Sequence, residues 1–290
     1  MRLSVETYIL REMFSDESAL RMIREAGFDA FDYSFYWVSD GTDMLRQDFL
    51  QRASLLRRLA DDLGLFCNQA HAPFEMEYGD AFDLTNTNYL RLVRCLEFAA
   101  VLGAEQVIVH AIKDDLPEDV DFFSYNRRFY DSLIPWCERF SIRVCVENLF
   151  NWEDRAIPVL CDPMEHQAFV RELESPWIGI CIDVGHSAIT GYKPQDVLSV
   201  MDPQRLWALH IHDNDGILDQ HLLPGEGILD WDAVTHALGS IGYRGDFTFE
   251  LTGYLRTKAP EQMAAALAAA HHRGRELISQ IHRSRQEVRS

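Results

Sequence analysis

The chain has 290 residues, 47% of them hydrophobic, which is enough to bury a large core in one big domain or two small ones. Forty-six acidic residues against 27 basic ones leave a formal charge of −19, a balance that repels polyphosphate, so a nucleic-acid substrate would require a strongly basic face. No run approaches the roughly 18 apolar residues of a membrane span, and the start at Met1-Arg2-Leu3-Ser4-Val5-Glu6 lacks a signal-peptide pattern, so a soluble, cytoplasmic protein is expected.

In chain order, short β-rich runs alternate with amphipathic segments from end to end. The pattern predicts strands over residues 4–9, 30–35, 65–71, 106–112, 143–149, 178–184, 206–213 and 247–252. It predicts helices over 18–26, 49–63, 86–102, 122–140, 164–173, 194–201 and 231–241, and a long C-terminal helix over about 260–285. Gly27, Gly64, Gly103 and Gly242 stand where helices should stop, just before a strand. Continuous apolar strands alternating with helices indicate a parallel sheet covered on its outside, and eight such units close into a (β/α)8 TIM barrel, an α/β fold. With no linker, repeat or charge block, residues 1–290 are read as a single domain.

Cys67, Cys95, Cys137, Cys145, Cys161 and Cys181 form no CxxC pair; Cys67, Cys145 and Cys181 fall inside strand-like runs, where a reduced thiol is a small hydrophobe. The locally basic tail, with Arg273, Arg275, His282, Arg283, Arg285 and Arg289, reads as a solvated helix face. Apolar faces on that final helix leave room for a homo-oligomer.

Chemistry in such barrels sits at the C-terminal strand ends, where the loops converge on one mouth. Six apolar runs close there on polar residues: Gln69-Ala70-His71, Val109-His110, Val146-Glu147-Asn148, Ile182-Asp183-Val184-Gly185-His186, His210-Ile211-His212-Asp213 and Phe249-Glu250. Asp219-Gln220-His221 and Pro224-Gly225-Glu226-Gly227 follow the seventh strand. Crowding imidazoles and carboxylates at strand ends is costly unless a cation offsets their repulsion. Glu147, Asp183 and Glu250 with His212 make three carboxylates and one imidazole, a set that suits Mn²⁺, Co²⁺, Mg²⁺ or Zn²⁺ and leaves positions for substrate oxygens. His210 points the same way as His212 but one pleat deeper, and is expected to support the ligands or pack in the core.

The predicted mouth loops carry Tyr33, Phe35, Tyr36, Trp37, Phe74, Tyr78, Phe150 and Trp152, aromatic walls that suit a sugar or an aromatic glycoside, and Lys113 and Arg155 are candidates for a substrate phosphate. No G-x-S-x-G, G-x-G-x-x-G or P-loop motif occurs, so a metal is the only cofactor implied.

Val146-Glu147-Asn148, Asp183-Val184-Gly185-His186, His210-Ile211-His212, Pro224-Gly225-Glu226-Gly227 and Phe249-Glu250 resemble the xylose-isomerase-like barrels. That family includes ketose 3-epimerases, hydroxypyruvate isomerase, inosose dehydratase and, more distantly, endonuclease IV, and the similarity covers essentially the whole chain in element order. It implies one divalent metal held by Glu147, Asp183, His212 and Glu250. Glu147 and Glu250 would also be the acid/base pair that takes and returns a carbon-bound proton through a metal-stabilised enediolate, with His186 bonding a substrate hydroxyl or carbonyl. His71, His110, Asp219 and His221 would face the substrate.

The implied activity is that of a metal-dependent isomerase or epimerase on a small-molecule sugar or sugar derivative, with no nucleic-acid or membrane partner. An inosose-type dehydratase or a lyase on a keto-sugar derivative keeps the proton abstraction and changes its outcome. One departure stands out: the epimerases carry an arginine in the loop after the seventh-strand histidine, where this chain has Asp215-Gly216-Ile217-Leu218. Similarity to endonuclease IV implies instead a phosphodiesterase with three zinc ions, whose ligand positions are filled by His71, His110, Glu147, Asp183 with His186, His212, Asp219 with His221, and Glu250; the acidic balance opposes it. A carbohydrate-binding barrel with a relic metal site is the non-enzymatic alternative.

Overall fold

The apolar runs become the strands of one parallel sheet in the computed structural model, which describes residues 1–36, 44–151 and 158–287. The strands are β1 (Leu3–Glu6), β2 (Ala30–Ser34), β3 (Phe66–His71), β4 (Gln106–Val109), β5 (Arg143–Glu147), a small hairpin of β6 (Leu149–Phe150) and β7 (Pro158–Val159), then β8 (Ile178–Asp183), β9 (Leu206–His210) and β10 (Phe247–Phe249). The helices are α1 (Tyr8–Met13), α2 (Asp16–Glu25), α3 (Phe49–Leu63), α4 (Thr87–Leu102), α5 (Phe122–Phe140), α6 (Pro163–Glu172), α7 (Val184–Ile189), α8 (Pro194–Ser199), α9 (Trp231–Ser240), α10 (Thr252–Arg256) and α11 (Met263–Glu287).

Eight strands pair in the order β10-β1-β2-β3-β4-β5-β8-β9. Beyond the last regular pair, Ile211 N donates to Thr248 O at 2.9 Å and Glu250 N to Ile211 O at 3.1 Å, which joins β9 to β10 and closes the barrel. Both faces of the strands are covered, which explains why they read as continuous apolar runs rather than as alternation. Gly64 and Gly103 end α3 and α4 at φ of 65° and 95°, the left-handed conformation that a side chain resists.

Helices α3 and α5 occupy the expected residues, whereas several strands are shorter. The first ends at Glu6, since Tyr8, Ile9 and Leu10 begin α1. The fourth, seventh and eighth end at Val109, His210 and Phe249, and Thr252 opens α10. A short apolar run does not distinguish a strand from one turn of buried helix, and α1, α7 and α10 are too short to display a 3.6-residue period.

On the final helix His282 and Arg283 are exposed, as a solvated face requires, Arg289 lies outside the described residues, and the apolar face is buried. Met263, Leu267, Ala270, Leu277 and Ile281 are buried within the chain. Arg275 pairs with Asp29 at 2.7 Å and Arg273 donates to Pro224 O at 2.9 Å, so these cations tie the helix to barrel loops. All six cysteines are buried and unbridged. Among the described residues, no helix is long and apolar enough to cross a membrane.

Inside the barrel, polar side chains replace the usual aliphatic layers under the mouth. Ser4 Oγ donates to Asn68 Oδ1 at 2.7 Å, Asn68 Nδ2 to Thr248 Oγ1 at 2.9 Å, Thr248 Oγ1 to Gln69 Oε1 at 3.2 Å, and Gln69 Nε2 to Asp32 Oδ2 at 2.8 Å. Hydrogen bonds of this kind are what make a buried polar layer tolerable.

Candidate metal centre

Glu147 ends β5 with its side chain aimed into the barrel and is 1% exposed. Its Oε1 lies 2.7 Å from His210 Nδ1, and its Oε2 lies 3.0 Å from His110 Nε2 and 3.5 Å from His71 Nε2. Burial works to raise this carboxyl, but His210, His110 and His71 hold it well below the usual carboxylate range. Burial also lowers His110, to about 4, against the pull of Glu147.

Asp183 ends β8 and caps α7, accepting from His186 N at 2.7 Å. Asn148 clamps the same corner, receiving the Asp183 N–H at 2.7 Å and returning its own amide to Asp183 O at 2.9 Å. The second Asp183 oxygen lies 3.0 Å from His212 Nε2. Burial opposes the Asp183 charge, and His186 with His212 outweighs it, lowering the carboxyl. Burial likewise opposes the charge on His186, yet Asp183 and Asp219 raise that imidazole to about 10.

Glu250, just beyond β10, accepts the Tyr36 hydroxyl and lies 3.4 Å from His210 Nδ1 and 3.7 Å from His221 Nδ1. One oxygen each from Glu147, Asp183 and Glu250, with a ring nitrogen of His210, all lie within 4.8 Å of one another. His210 thus stands among these three carboxylates beside Glu147, and His212 stands at the outer side of Asp183, 3.0 Å from its Oδ2. In the ladder Asp183 pairs with His210, and His212 lies two residues further on, past the end of β9.

His212 joins a second group with His186, Asp219 and His221. Asp219 Oδ2 lies 3.0 Å from His221 Nε2 and 3.6 Å from His186 Nε2, and the His212 and His221 rings stack with centroids 4.0 Å apart. His71, His110 and Glu147 form a third group. All nine residues singled out from sequence thus meet in one mouth, together with His210. The fit to a cation also rests on a buried atom: Asp219 Oδ1 has no hydrogen-bond partner among the described residues, at 3.9 Å from His212 Nε2. Carboxylate and imidazole donors packed this closely form a ligand set for a divalent ion.

The groups open onto a cavity of about 620 Å³ whose lining includes Tyr36, Phe74, Phe150, Lys113, Glu147 and Glu250. Phe74 stacks on Tyr36 and on His110, each at 4.9 Å. Of the other expected wall residues, Tyr33 and Phe35 pack on Phe98 in the core, and Tyr78 lies against Tyr125. Trp37, Trp152 and Arg155 lie outside the described residues. Lys113 lines the cavity with its ammonium 2.7 Å from Asp114, and Arg256 lines it from α10.

Three acidic residues were given no role by sequence reasoning. Glu6 ends β1, fully buried, and accepts Thr252 Oγ1 at 2.9 Å and Tyr8 N at 3.2 Å. Asp32 lies inside β2 and faces His210. Asp213 accepts the N–H groups of Asn214, Gly225 and Leu229 at 2.9, 2.8 and 3.2 Å and the Trp231 indole at 2.8 Å, fastening the Pro224–Gly227 turn beneath the loop that carries Asp219 and His221. The available signal for Glu6 and Asp32 was the one used elsewhere, a carboxylate closing or interrupting an apolar strand.

The model of the family described as xylose isomerase-like TIM barrel matches residues 20–272. The chain belongs to this family. An uncharacterized protein of Sinorhizobium fredii is 29% identical over 259 residues, covering 80% of this chain and 79% of the relative. The crystal structure of a D-tagatose 3-epimerase-like protein superposes with a TM-score of 0.75 at 20% identity, covering 97% of this chain and 98% of the other. A structure of the IolI protein with a bound zinc atom does so with a TM-score of 0.68 at 16% identity over 97% of this chain and 98% of that one. At such identities the likeness to the solved structures is one of fold.

Proposed function

We propose that this protein is a divalent-metal-dependent isomerase or epimerase acting on a sugar or sugar derivative. The observation that carries the reading is the convergence of Glu147, Asp183, Glu250 and His210 within 4.8 Å of one another, two of the carboxylates lining a cavity of about 620 Å³. These four residues would hold the ion. When bound, it supplies Lewis-acid polarisation of a carbonyl and its neighbouring hydroxyl, which acidifies the adjacent C–H bond.

The chain's own groups supply the rest. Glu147 and Glu250 stand on strands three places apart around the barrel, so a sugar lying between them presents a C–H bond to one carboxylate and the opposite face to the other. Removal by one and return by the other to the same carbon inverts the centre; removal by one group and its return to the neighbouring carbon, with a proton passing between the two oxygens, moves the carbonyl and isomerises. Tyr36 holds one Glu250 oxygen and leaves the other for proton transfer. His186, Asp219 and His221 line the same cavity as partners for sugar hydroxyls, and the Phe74 and Tyr36 rings cover apolar C–H faces and exclude water. A cavity of about 620 Å³ is of the size that takes small molecules. The epimerase-like and zinc-containing neighbours support the reading.

The test is deuterium exchange at the carbon beside the carbonyl, followed by NMR across a panel of ketoses and keto-sugar derivatives in D₂O with Mn²⁺ or Zn²⁺. Exchange in the wild type that disappears in Glu147→Gln and Glu250→Gln supports the reading, and unaltered exchange in both variants sinks it. Net loss of water or of a substituent from an exchanging compound would move the assignment to a dehydratase or lyase.

A second reading is favoured by one further observation: besides the first group there are groups at His71/His110/Glu147, at Glu147/Cys181/His210 and at His186/His212/Asp219/His221, and Glu147 belongs to three of the four. That arrangement fits three zinc ions and phosphodiester hydrolysis. Elemental analysis of protein purified without chelator separates the readings, about one ion per chain against about three, and cleavage of abasic duplex DNA would establish the second.

A further inference from the structure

The cavity is divided by chemistry. His186, Asp219 and His221, which suit sugar hydroxyls, reach it from beyond β8 and β9. Past the ends of β3, β4 and β5 the lining turns apolar: Pro73 and Met76 follow β3, Ala111 and Ile112 follow β4, and Leu149 and Phe150 form β6. Ala111, Ile112, Leu149 and Phe150 are buried, whereas Pro73 and Met76 are only half-buried and keep apolar surface toward the opening. The charges on this side stand at the rim, where Glu77, Asp114 and Asp115 are exposed and the Lys113 ammonium lies 2.7 Å from Asp114. The apolar wall is also held in place. Buried Asn126 accepts the Ile112 N–H at 2.7 Å and donates to Ile112 O at 2.8 Å, and Phe74 stacks on Tyr36 and His110.

A free sugar leaves this half of the cavity unused. Hydroxyls laid against Met76 and Ile112 would lose water and gain no partner, which is costly, whereas an apolar group buried there is stabilised. The volume of about 620 Å³ lies within the roughly 300–1,000 Å³ that takes drug-sized ligands and exceeds what one sugar ring fills. A thioether and an aromatic ring, from Met76 and Phe150, favour a flat aromatic neighbour. We infer that the substrate is a keto-glycoside with an aromatic aglycone, its sugar ring over the carboxylates and its aglycone against Met76, Ile112 and Phe150. The inference rests on the isomerase reading above and narrows its substrate class. An aglycone on the anomeric carbon blocks ring opening, so the carbonyl that acidifies a C–H bond must stand at another ring carbon. The proton leaves the carbon beside that carbonyl for a carboxylate and one is returned; the bond to the aglycone stays intact and nothing is oxidised.

The experiment compares phenyl with methyl keto-glucopyranosides, as both anomers and with the carbonyl at C2, C3 or C4. Calorimetric titration in the presence of Zn²⁺ reads binding, and NMR in D₂O reads exchange against a control without enzyme. Each phenyl and methyl pair carries the same reacting sugar. The phenyl compound should bind about 10- to 100-fold more tightly than its methyl counterpart. Met76→Ala removes part of the wall at a half-buried loop position, and Ala111→Leu fills the space beside it. Each should lower the phenyl-to-methyl ratio by about threefold or more.

Equal binding in the two series, no binding in either, or a phenyl preference that neither variant moves would overturn the inference. If free ketoses exchange under those conditions, the isomerase reading stands without it. Tighter phenyl binding that responds to the variants, in a protein that exchanges no sugar proton, would keep the aglycone site and remove the isomerase. Should Ala111→Leu fail to fold, Met76→Ala decides alone.

Discussion

Glu147 Oε1 lies 2.7 Å from His210 Nδ1, closer than any other approach between a carboxylate and an imidazole given above. The pair sits where β5 and β9 end, on either side of β8, on which Glu147 is in register with Cys181 and His210 with Asp183. His212, two residues further on, belongs to the group around Asp219.

This difference makes the two histidines separable. His210→Ala should strip the ion from the four-residue centre, whereas His212→Ala should retain it and affect contacts made by Asp183 and Asp219. Metal content after gel filtration checks both variants, and loss of one ion on His212→Ala with none on His210→Ala would reverse the assignment.

Removing the cation should destabilise the fold, because Glu147, Asp183 and Glu250 then face each other with only imidazoles between them. An ion present at 1,000 times its Kd stabilises by about 4 kcal/mol, equivalent to roughly 10 °C in a chain of this size. Calorimetry with and without chelator, followed by re-addition of Zn²⁺ or Mn²⁺, measures the shift; identical melting curves would speak against a bound ion.

Glu6 should make the metal-free protein sensitive to pH. Burial, reinforced by Glu250, pushes its carboxyl up to about 7. The folded state therefore holds a proton that the unfolded chain has released above the ordinary value near 4.5, so stability is fully present below that value and is lost as pH rises toward 7. The loss over this window is on the order of 3 kcal/mol. Glu6→Gln should be insensitive by comparison, its stability relative to the wild type growing from pH 4.5 to 7 in chelator-treated urea titrations. A constant difference across that range would contradict the buried neutral acid.

The loop bearing Asp219 and His221 depends on Asp213 and on a close backbone approach at Gly227. A Cβ on Gly227 would sit 2.2 Å from Asn214 O and 2.3 Å from Asp213 Oδ1, one of them backbone that cannot turn aside. Gly227→Ala should displace the loop and hasten its proteolysis while the barrel stays folded. Asp213→Asn forces an amide against N–H donors and should cost about 3 kcal/mol. Limited proteolysis with mass mapping and denaturant unfolding test the two variants.

Long periodic segments such as α3 and α5, and the eight apolar runs, were legible because local hydrophobic spacing specifies them without reference to distant residues. The same holds for the polar residues at strand ends: alternation along a strand says which side chains face inward. Alternation carries no information about height. That His210 lies beside Glu147 and His212 beside Asp183 could not be read from alternation, which turns both imidazoles inward.

The amino-acid sequence by itself determined the barrel, its mouth and the residue types placed there, because these rest on local pattern. Only the tertiary structure decided which imidazole lies beside which carboxylate, that Asp32 faces His210 inside the barrel, and that Asp213 fastens the Pro224–Gly227 turn. Contacts such as Asp32 to His210 join residues far apart in the chain, and their distances are set by how strands are staggered around a closed sheet rather than by any property of the residues alone.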